Sequence, residues 1–163
     1  MSIGFFNTPC SEKPRNEKRF GLCDDDDESP AYSSHDNEEN WIATVESTAQ
    51  EVVFTPIDKC IIPTKEGSTD KESNCDGMLT FTDSLFLVEL KNERKNWFTG
   101  GLNQIENTIR LMRKQGALDQ KYLKAYVCNK RHPHFRTIDN AFSRKFLHET
   151  GFRIDNQATI KFK

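Results

Sequence analysis

The segment CDGMLTFTDSLFLVELK, at residues 75–91, is one of the most apolar parts of an otherwise polar chain, and charged residues lie near its ends. Two apolar runs there flank Thr82–Asp83, a spacing typical of two antiparallel β-strands joined by a two-residue loop. The alternation predicts adjacent strands at residues 76–82 and 85–91, with one wholly apolar face. The residues expected on that face are Leu79, Phe81, Phe86, Val88 and Leu90.

The same alternation places three charged residues together on the other face, at the rim of the hairpin. Asp76 faces Glu89, with Cβ atoms about 5 Å apart, and Lys91 points the same way. Two carboxylates this close repel each other unless a cation lies between them. A hard divalent ion such as Mg²⁺ binds one or two carboxylates and keeps several waters, which leaves room for a phosphate oxygen. The pattern indicates a metal site beside an anion; the alternative is a surface salt bridge among the three residues.

Periodicity and turn residues in the rest of the chain predict further helices and strands. Together with the hairpin they give the order α-β-β-β-α-β-α-β. This order predicts an α/β fold in which a mixed β-sheet is flanked by helices. The predicted elements lie at residues 37–50, 51–62, 76–82, 85–91, 101–115, 122–129, 137–150 and 158–162.

Residues 7–40 are rich in Ser, Pro, Asn and acidic side chains and include the run CDDDDESP. Such a composition buries little surface, so it predicts an acidic, irregular arm rather than a sheet. The arm is expected to span residues 1–36 and to precede one α/β domain at 37–163. The acidic run Asp24–Glu28 is interpreted as a solvated tail, because it lacks the spaced ligands and turn glycine of a metal cage.

Charge is divided unevenly along the 163 residues. Residues 1–90 carry 7 Lys or Arg and 19 Asp or Glu, a net charge of −12, whereas residues 91–163 carry 16 and 6, a net charge of +10. The basic half favours an anionic partner, with nucleic acid as the leading class, unless the two halves face each other or solvent. No apolar run approaches the ~20 residues that a bilayer requires, so no membrane partner is expected.

The chain contains five cysteines, at positions 10, 23, 60, 75 and 128, with no CxxC spacing. An odd number without paired spacing argues against a zinc site or a disulfide framework. We therefore expect reduced thiols and a cytoplasmic protein.

An aspartate, then about a dozen residues, then Glu-x-Lys across a hairpin, followed by a helix and a strand, resembles the PD-(D/E)XK nuclease superfamily. The matching residues are Asp76 and Glu89-Leu90-Lys91, and the similarity covers roughly residues 38–130. Cys75 stands where that family often has proline. The resemblance implies a restriction-endonuclease-like fold for the α/β domain.

The resemblance also implies roles for individual residues. Asp76 and Glu89, with the Leu90 carbonyl, would bind Mg²⁺ or Mn²⁺, and Lys91 would assist the attacking water. Family members often carry a glutamine on the helix after the motif, which Gln104 would supply; a solvated amide is the alternative. Many also carry a glutamate on the preceding helix. The two positions that fit are Glu46 and Glu51.

Two basic segments, at residues 91–97 and 128–136, follow predicted strands and mix cationic with aromatic side chains. Such a mixture suits contact with a phosphate backbone and stacking against bases. The residues expected to bind nucleic acid are Arg94, Lys95, Trp97, Lys130, Arg131 and Arg136.

Two functions remain open on these observations. The first is a metal-dependent phosphodiesterase that cleaves DNA or RNA. The second is a non-catalytic protein of the same fold, with an immunity-like role, whose acidic half binds a basic partner. No specificity domain is evident in so short a chain, so a nuclease would need a homodimer or a protein partner.

Overall fold

The computed structural model is a mixed α/β protein with two mixed sheets and two α-helices. It describes residues 4–6, 8–25, 27–47, 51–62, 74–116, 118–133 and 137–162. The elements are β1 Arg19–Cys23, β2 Tyr32–Ser34, a 3₁₀ helix Glu38–Asn40, β3 Ala43–Ser47, β4 Val53–Pro56, β5 Gly77–Phe81, β6 Ser84–Lys91, α1 Trp97–Lys114, β7 Tyr122–Asn129, α2 Asn140–Thr150, β8 Arg153–Asp155 and β9 Thr159–Phe162.

The larger sheet has the strand order β4-β5-β6-β7-β8. β4, β5 and β6 form an antiparallel meander, and β7 and β8 extend it in parallel through the crossovers that contain α1 and α2. The predicted hairpin is confirmed, because Leu79 pairs with Phe86 and Phe81 pairs with Ser84. Thr82, in the two-residue loop between them, has a φ of 43°, as a tight hairpin turn requires.

The smaller sheet has the order β2-β1-β3-β9, with β3 and β9 parallel. Its first two strands lie within the segment expected to be an irregular arm, and the prediction that residues 7–40 form no sheet is wrong. Phe20 and Leu22 of β1 are fully buried, so this short apolar stretch binds the acidic segment to the core. The boundary proposed at residue 36 stays a prediction.

The helix predicted at residues 37–50 is also wrong. Within its described part, a 3₁₀ turn at Glu38–Asn40 is followed by β3. Ala43, Val45 and Ser47 are buried, whereas Glu46, between the last two, is exposed. This alternation is the two-residue period of a strand. The segment is a strand because its hydrogen bonding to β1 on one side and β9 on the other outweighs the helical spacing of its apolar residues.

The two sheets and the helices form three layers with two hydrophobic cores. One core lies between the sheets and includes Val45, Phe86 and Ile160. The other lies between the larger sheet and the helices and includes Leu87 and Ile105. β5 and β6 are therefore covered on both faces, and only their ends reach solvent.

The predicted helices after the hairpin and after β7 are both present. α1 begins at Trp97, four residues before the predicted start, and buries Ile105, Ile109 and Met112 on its core side. The side chain of Asp139 caps the N-terminus of α2. The strand predicted at 122–129 coincides with β7, the one predicted at 158–162 becomes β9, and β8 was not predicted.

The expectation of reduced thiols throughout is wrong for two cysteines. Cys10 and Cys60 form a disulfide across 50 residues, which ties the N-terminal segment to the turn after β4. Odd numbers and absent CxxC spacing do not exclude such a bond, because long-range pairing is a property of the fold. Cys23, Cys75 and Cys128 are free and buried.

No helix in the described part of the chain is long and apolar enough to cross a membrane.

Two adjacent glycines at the start of α1 give a matched test of how this helix packs on the sheet. A Cβ at Gly101 would lie 2.5 Å from Val127 Cγ1 and 3.2 Å from Glu89 Cγ, whereas a Cβ at Gly100 would meet nothing within 4 Å. We expect Gly101→Ala to lower the free energy of unfolding by about 1–3 kcal/mol, because α1 must move off the sheet. Chemical denaturation measures the effect.

Gly100→Ala is the control, and it should raise stability by up to about 1 kcal/mol through helix propensity alone. Equal effects of the two substitutions would show that α1 does not approach the sheet as closely as described.

Candidate functional site

Asp76 and Glu89 lie together at the rim of the hairpin, as the alternation predicted. Asp76 is 9% exposed and Glu89 is 1% exposed. The Asp76 backbone N–H donates to Glu89 Oε1 at 3.1 Å, and the Leu90 backbone N–H donates to Asp76 Oδ2 at 2.7 Å. Each carboxylate is therefore oriented by the backbone of the neighbouring strand.

Helix α1 covers this pair from the side opposite the smaller sheet. Thr108 is fully buried, accepts a hydrogen bond from the Cys75 backbone N–H at 2.9 Å, and donates to the Gln104 carbonyl. It thereby anchors the residue preceding Asp76 to the helix. Gly101 allows α1 to lie against Glu89. Neither Thr108 nor Gly101 was identified from the sequence, because only the helix position shows what they contact.

Lys91 supplies the cation of the site. Its Nζ lies 3.3 Å from Glu89 Oε2 and 3.9 Å from Glu93 Oε1. Its side chain is 16% exposed, so it is neither freely solvated nor sealed in the core. A partly buried ammonium beside two carboxylates differs from an exposed surface ion pair, which contributes little energy.

Burial shifts the titration of both carboxyl groups. Burial raises the pKa of Asp76 to about 6, against opposing hydrogen bonds from Glu89 and the Leu90 backbone. Burial also raises the pKa of Glu89 well above its ordinary value, and repulsion from Asp76 adds to this while Lys91 opposes it. The metal-free pair is thus destabilised in its fully ionised form, which is the state that a divalent cation would relieve.

Asp24 and Asp58 lie near the site, and sequence analysis missed their place there. Their negative charges contribute to the raised pKa of Asp76. Asp58 lies two residues after Pro56, which pairs with Gly77, so the antiparallel register brings it beside the residues that precede β5. Asp24 follows β1, in the acidic run interpreted as a solvated tail. Strand pairing was the signal that could have located Asp58.

The donor set suits an ion that needs few protein ligands. Among the described residues, no group of three or more His, Cys, Asp or Glu side chains is close enough to hold a metal. Mg²⁺ commonly uses one or two carboxylates together with waters and substrate phosphates. Asp76 and Glu89, with the Leu90 carbonyl, could hold such an ion.

The helper residues expected from the family resemblance have different outcomes. Gln104 lies on α1 and its amide donates to the Asn74 carbonyl at 3.4 Å, two residues before Asp76. It is therefore adjacent to the site. Glu46 lies on β3, and Glu51 precedes β4 near the Val53–Thr80 pair at the other end of β5. Neither glutamate is brought to the Asp76 end of the hairpin, because the predicted preceding helix is a strand.

The loops after β6 and β7 are joined into one basic rim next to Lys91. The amide of Asn129, which is fully buried, accepts from the Glu93 N–H at 3.2 Å and donates to the Glu93 carbonyl at 2.7 Å. Arg131 Nε donates to Asn92 Oδ1 at 3.1 Å. This basic rim carries four exposed cations: Arg94, Lys95, Lys130 and Arg131.

Trp97 was expected to bind nucleic acid, but the structure places its ring in the core. It is 3% exposed, belongs to the core beneath α1, and stacks on the ring of His132 at a centroid distance of 6.3 Å. A buried ring cannot stack on a base. The mixture of aromatic and basic residues in the sequence did not distinguish a packing tryptophan from an exposed one. Arg136 lies outside the described residues.

The chain matches no protein-family model, no curated protein and no solved structure. The class of site therefore follows from its own residues: a buried carboxylate pair, an adjacent lysine and a basic rim.

The raised pKa of Asp76 predicts a change of stability with pH in metal-free protein. A folded pKa of about 6 exceeds the ordinary aspartate value of 3.8, so the native state holds this proton more tightly than the unfolded state. The free energy of unfolding should fall as pH rises from about 4 to about 6, by roughly 2–3 kcal/mol. Asp76→Asn should reduce this loss without abolishing it, because the pKa of the buried Glu89 is also raised, and it should be more stable than the wild type above pH 6.

Urea denaturation in EDTA at pH 4, 5, 6 and 8 measures the difference, with the exposed Asp119→Asn as control. Mg²⁺ should stabilise the wild type at pH 8 but not Asp76→Asn. Parallel pH profiles for the wild type and Asp76→Asn would contradict the described burial.

Proposed function

We propose that this chain is a metal-dependent phosphodiesterase that hydrolyses DNA or RNA. The observation that carries the proposal is the buried Asp76–Glu89 pair with Lys91 Nζ 3.3 Å from Glu89. A pair of carboxylates that disfavour full ionisation, with a partly exposed ammonium beside them, suits a divalent ion and a phosphate together.

The proposal includes a restriction-endonuclease-like fold of the PD-(D/E)XK type. The antiparallel meander β4-β5-β6, the crossover through α1 and the parallel strand β7 support it. The position of the motif supports it as well, since Asp76 precedes β5 and Glu89 and Lys91 end β6. The smaller sheet is an addition to that core.

The residues of the site have separate roles in the proposed reaction. Asp76 and Glu89 would hold Mg²⁺ or Mn²⁺, which when bound supplies Lewis-acid stabilisation of the charge that develops on the phosphate oxygens. Lys91 would orient the attacking water and stabilise the same negative charge. Gln104, anchored to the Asn74 carbonyl, would help to position the strand that carries Asp76.

The basic rim would position the nucleic acid. Its four exposed cations lie at the C-terminal ends of β6 and β7, where Glu89 and Lys91 also lie. Cations so placed would neutralise backbone phosphates and leave the scissile one at Lys91. A homodimer or a protein partner would extend the interface. The Cys10–Cys60 disulfide does not support the expected cytoplasmic location, because disulfides are rare in a reducing cytosol.

A non-catalytic interaction protein is the second candidate, and exposed acidic side chains favour it. Asp25, Asp27 and Glu28 are exposed on the segment after β1, at the surface of the acidic half. Such a surface would attract a basic protein and accelerate association. In that case the Asp76–Glu89 pair would not catalyse a reaction, and Lys91 would have no functional role.

Replacing Lys91 separates the two candidates. Lys91→Ala should lower the cleavage rate by about 100-fold or more, because positioned acid–base and electrostatic groups contribute on that order. Metal binding should persist, since Asp76 and Glu89 remain. Cleavage of labelled single- and double-stranded DNA and RNA in Mg²⁺ and Mn²⁺ is the assay, and calorimetry follows the metal.

Lys114→Ala, at the exposed C-terminal end of α1, is the control and should cleave as the wild type does. Glu89→Gln and Asp76→Asn should lose both metal binding and cleavage. Wild-type protein that cleaves no nucleic acid in either metal at low salt would overturn the nuclease proposal.

The basic rim predicts a separable binding defect. Lys130→Glu with Arg131→Glu should weaken nucleic-acid affinity and reduce its dependence on salt, because phosphate contacts release counterions. Metal binding should not change. Lys114→Glu with Lys145→Glu makes the same change of net charge away from the rim; a similar loss in this control would show that only net charge matters. Fluorescence anisotropy measures the affinities at salt concentrations from about 50 to about 300 mM, where the loss of phosphate contacts with salt is resolved.

A further inference from the structure

A groove runs along the end of the larger sheet that is remote from Lys91. Two cavities form it, of about 1240 Å³ and about 510 Å³, and they share Lys124, Tyr126 and Asp155. The larger cavity reaches Ser84 and Tyr122, the paired first residues of β6 and β7, whereas Lys91 pairs with Asn129 at their last residues. Tyr126 lines both cavities and pairs with Val88, and both side chains lie on the face of the larger sheet that packs against the smaller sheet. Glu89 lies on the opposite face, against α1, so the sheet itself separates the groove from the proposed metal site.

The smaller cavity is the basic end of the groove. Lys124, Arg144 and Arg153 line it, together with one carboxylate, Asp155. Within the described ranges none of the three cations forms an ion pair. The polar side chains of Asn140 and Ser143, in the first turns of α2, also line this cavity. These three cations, which come from β7, α2 and β8, suit a phosphate group, because arginine forms bidentate hydrogen bonds to phosphate oxygens.

The larger cavity is the aromatic and acidic end. The rings of Phe86 and Phe162 stack at a centroid distance of 4.6 Å and form its floor, and Phe81 packs edge-on against Phe162 at 4.1 Å. Tyr122 is 53% exposed at its mouth. The lining also includes carboxylates, which accept hydrogen bonds from the amino and hydroxyl groups of a bound ligand. They are Glu46, Asp83 and Asp155, and the same cavity is lined by two cations, Lys124 and Lys161.

Lys124 joins the two ends. Its Nζ lies 5.2 Å from the centroid of the Phe86 ring, so its ammonium stands at the boundary between the aromatic floor and the basic cavity. A ligand that spans the groove therefore needs an anionic group at one end and a planar ring with hydrogen-bond donors at the other.

We propose that this groove binds a nucleoside phosphate, with the phosphate between Arg144, Arg153 and Lys124. The base lies against the exposed ring of Tyr122 at the mouth of the larger cavity, and the ribose passes Asp155. The polarity of the groove supports this orientation, because three carboxylates and two lysines line the larger cavity, whereas three cations and one carboxylate line the smaller one. The site is separate from the Asp76–Glu89 pair and requires neither metal nor cleavage.

Titration of the full chain with adenosine monophosphate in EDTA tests the proposal, because calorimetry then reports binding without the proposed metal site. Arg144→Ala should weaken binding about tenfold, as loss of one charge-assisted contact predicts. Lys145→Ala, the next residue on α2 and outside the cavity lining, is the matched control and should bind as the wild type does.

Two further probes separate the ends of the groove. Ribose 5-phosphate should bind more weakly than adenosine monophosphate, and Tyr122→Ala should weaken only the nucleotide, by about tenfold, because stacking on a base is lost. Equal affinity for the two probes would overturn the assignment of the aromatic end. Absence of nucleotide binding, or equal losses in Arg144→Ala and Lys145→Ala, would overturn the proposal as a whole and leave the nuclease proposal unaffected.

Discussion

Burial of the Glu89 carboxyl group beneath helix α1 is the constraint on which the rest of the site depends. Gly101 allows the helix to approach so closely that this group is 1% exposed. A charge in that position is costly unless it is paired and hydrogen-bonded. The Asp76 N–H and the Lys91 ammonium supply part of that compensation. These contacts do not offset the repulsion from Asp76. The fully ionised, metal-free site is therefore less stable than neutral side chains would be, and a bound cation would stabilise it.

The opposite charges of the two halves of the chain meet at this site. Asp24 and Asp58, from the acidic half, lie close enough to Asp76 to raise its pKa. The basic half supplies the rim, and Lys130 of that rim donates to the Glu39 carbonyl of the acidic half. The halves of the chain therefore contact each other while all four cations of the basic rim stay exposed, so the basic half can also face an anion.

The same larger sheet presents different chemistry at its two ends. At the C-terminal ends of β6 and β7, strand pairing and the Asn129 amide join two basic loops beside the carboxylates. At their N-terminal ends, aromatic side chains from β5, β6 and β9 converge where the two sheets separate, with cations from β7, α2 and β8 alongside. In each case residues distant in sequence share an end of the sheet, which places several cations where the strands stop.

The sequence by itself determined the hairpin and the placement of Asp76, Glu89 and Lys91 on one face, because a two-residue period and a tight turn are local properties. It also determined β7 and the two helices, whose caps and apolar stripes lie within each segment. Only the tertiary structure decided that the acidic segment joins a second sheet, that Asp24 and Asp58 lie near the site, and that Trp97 is buried. Those outcomes depend on pairing between segments far apart in the chain, where long-range burial and hydrogen bonding outweigh local propensity.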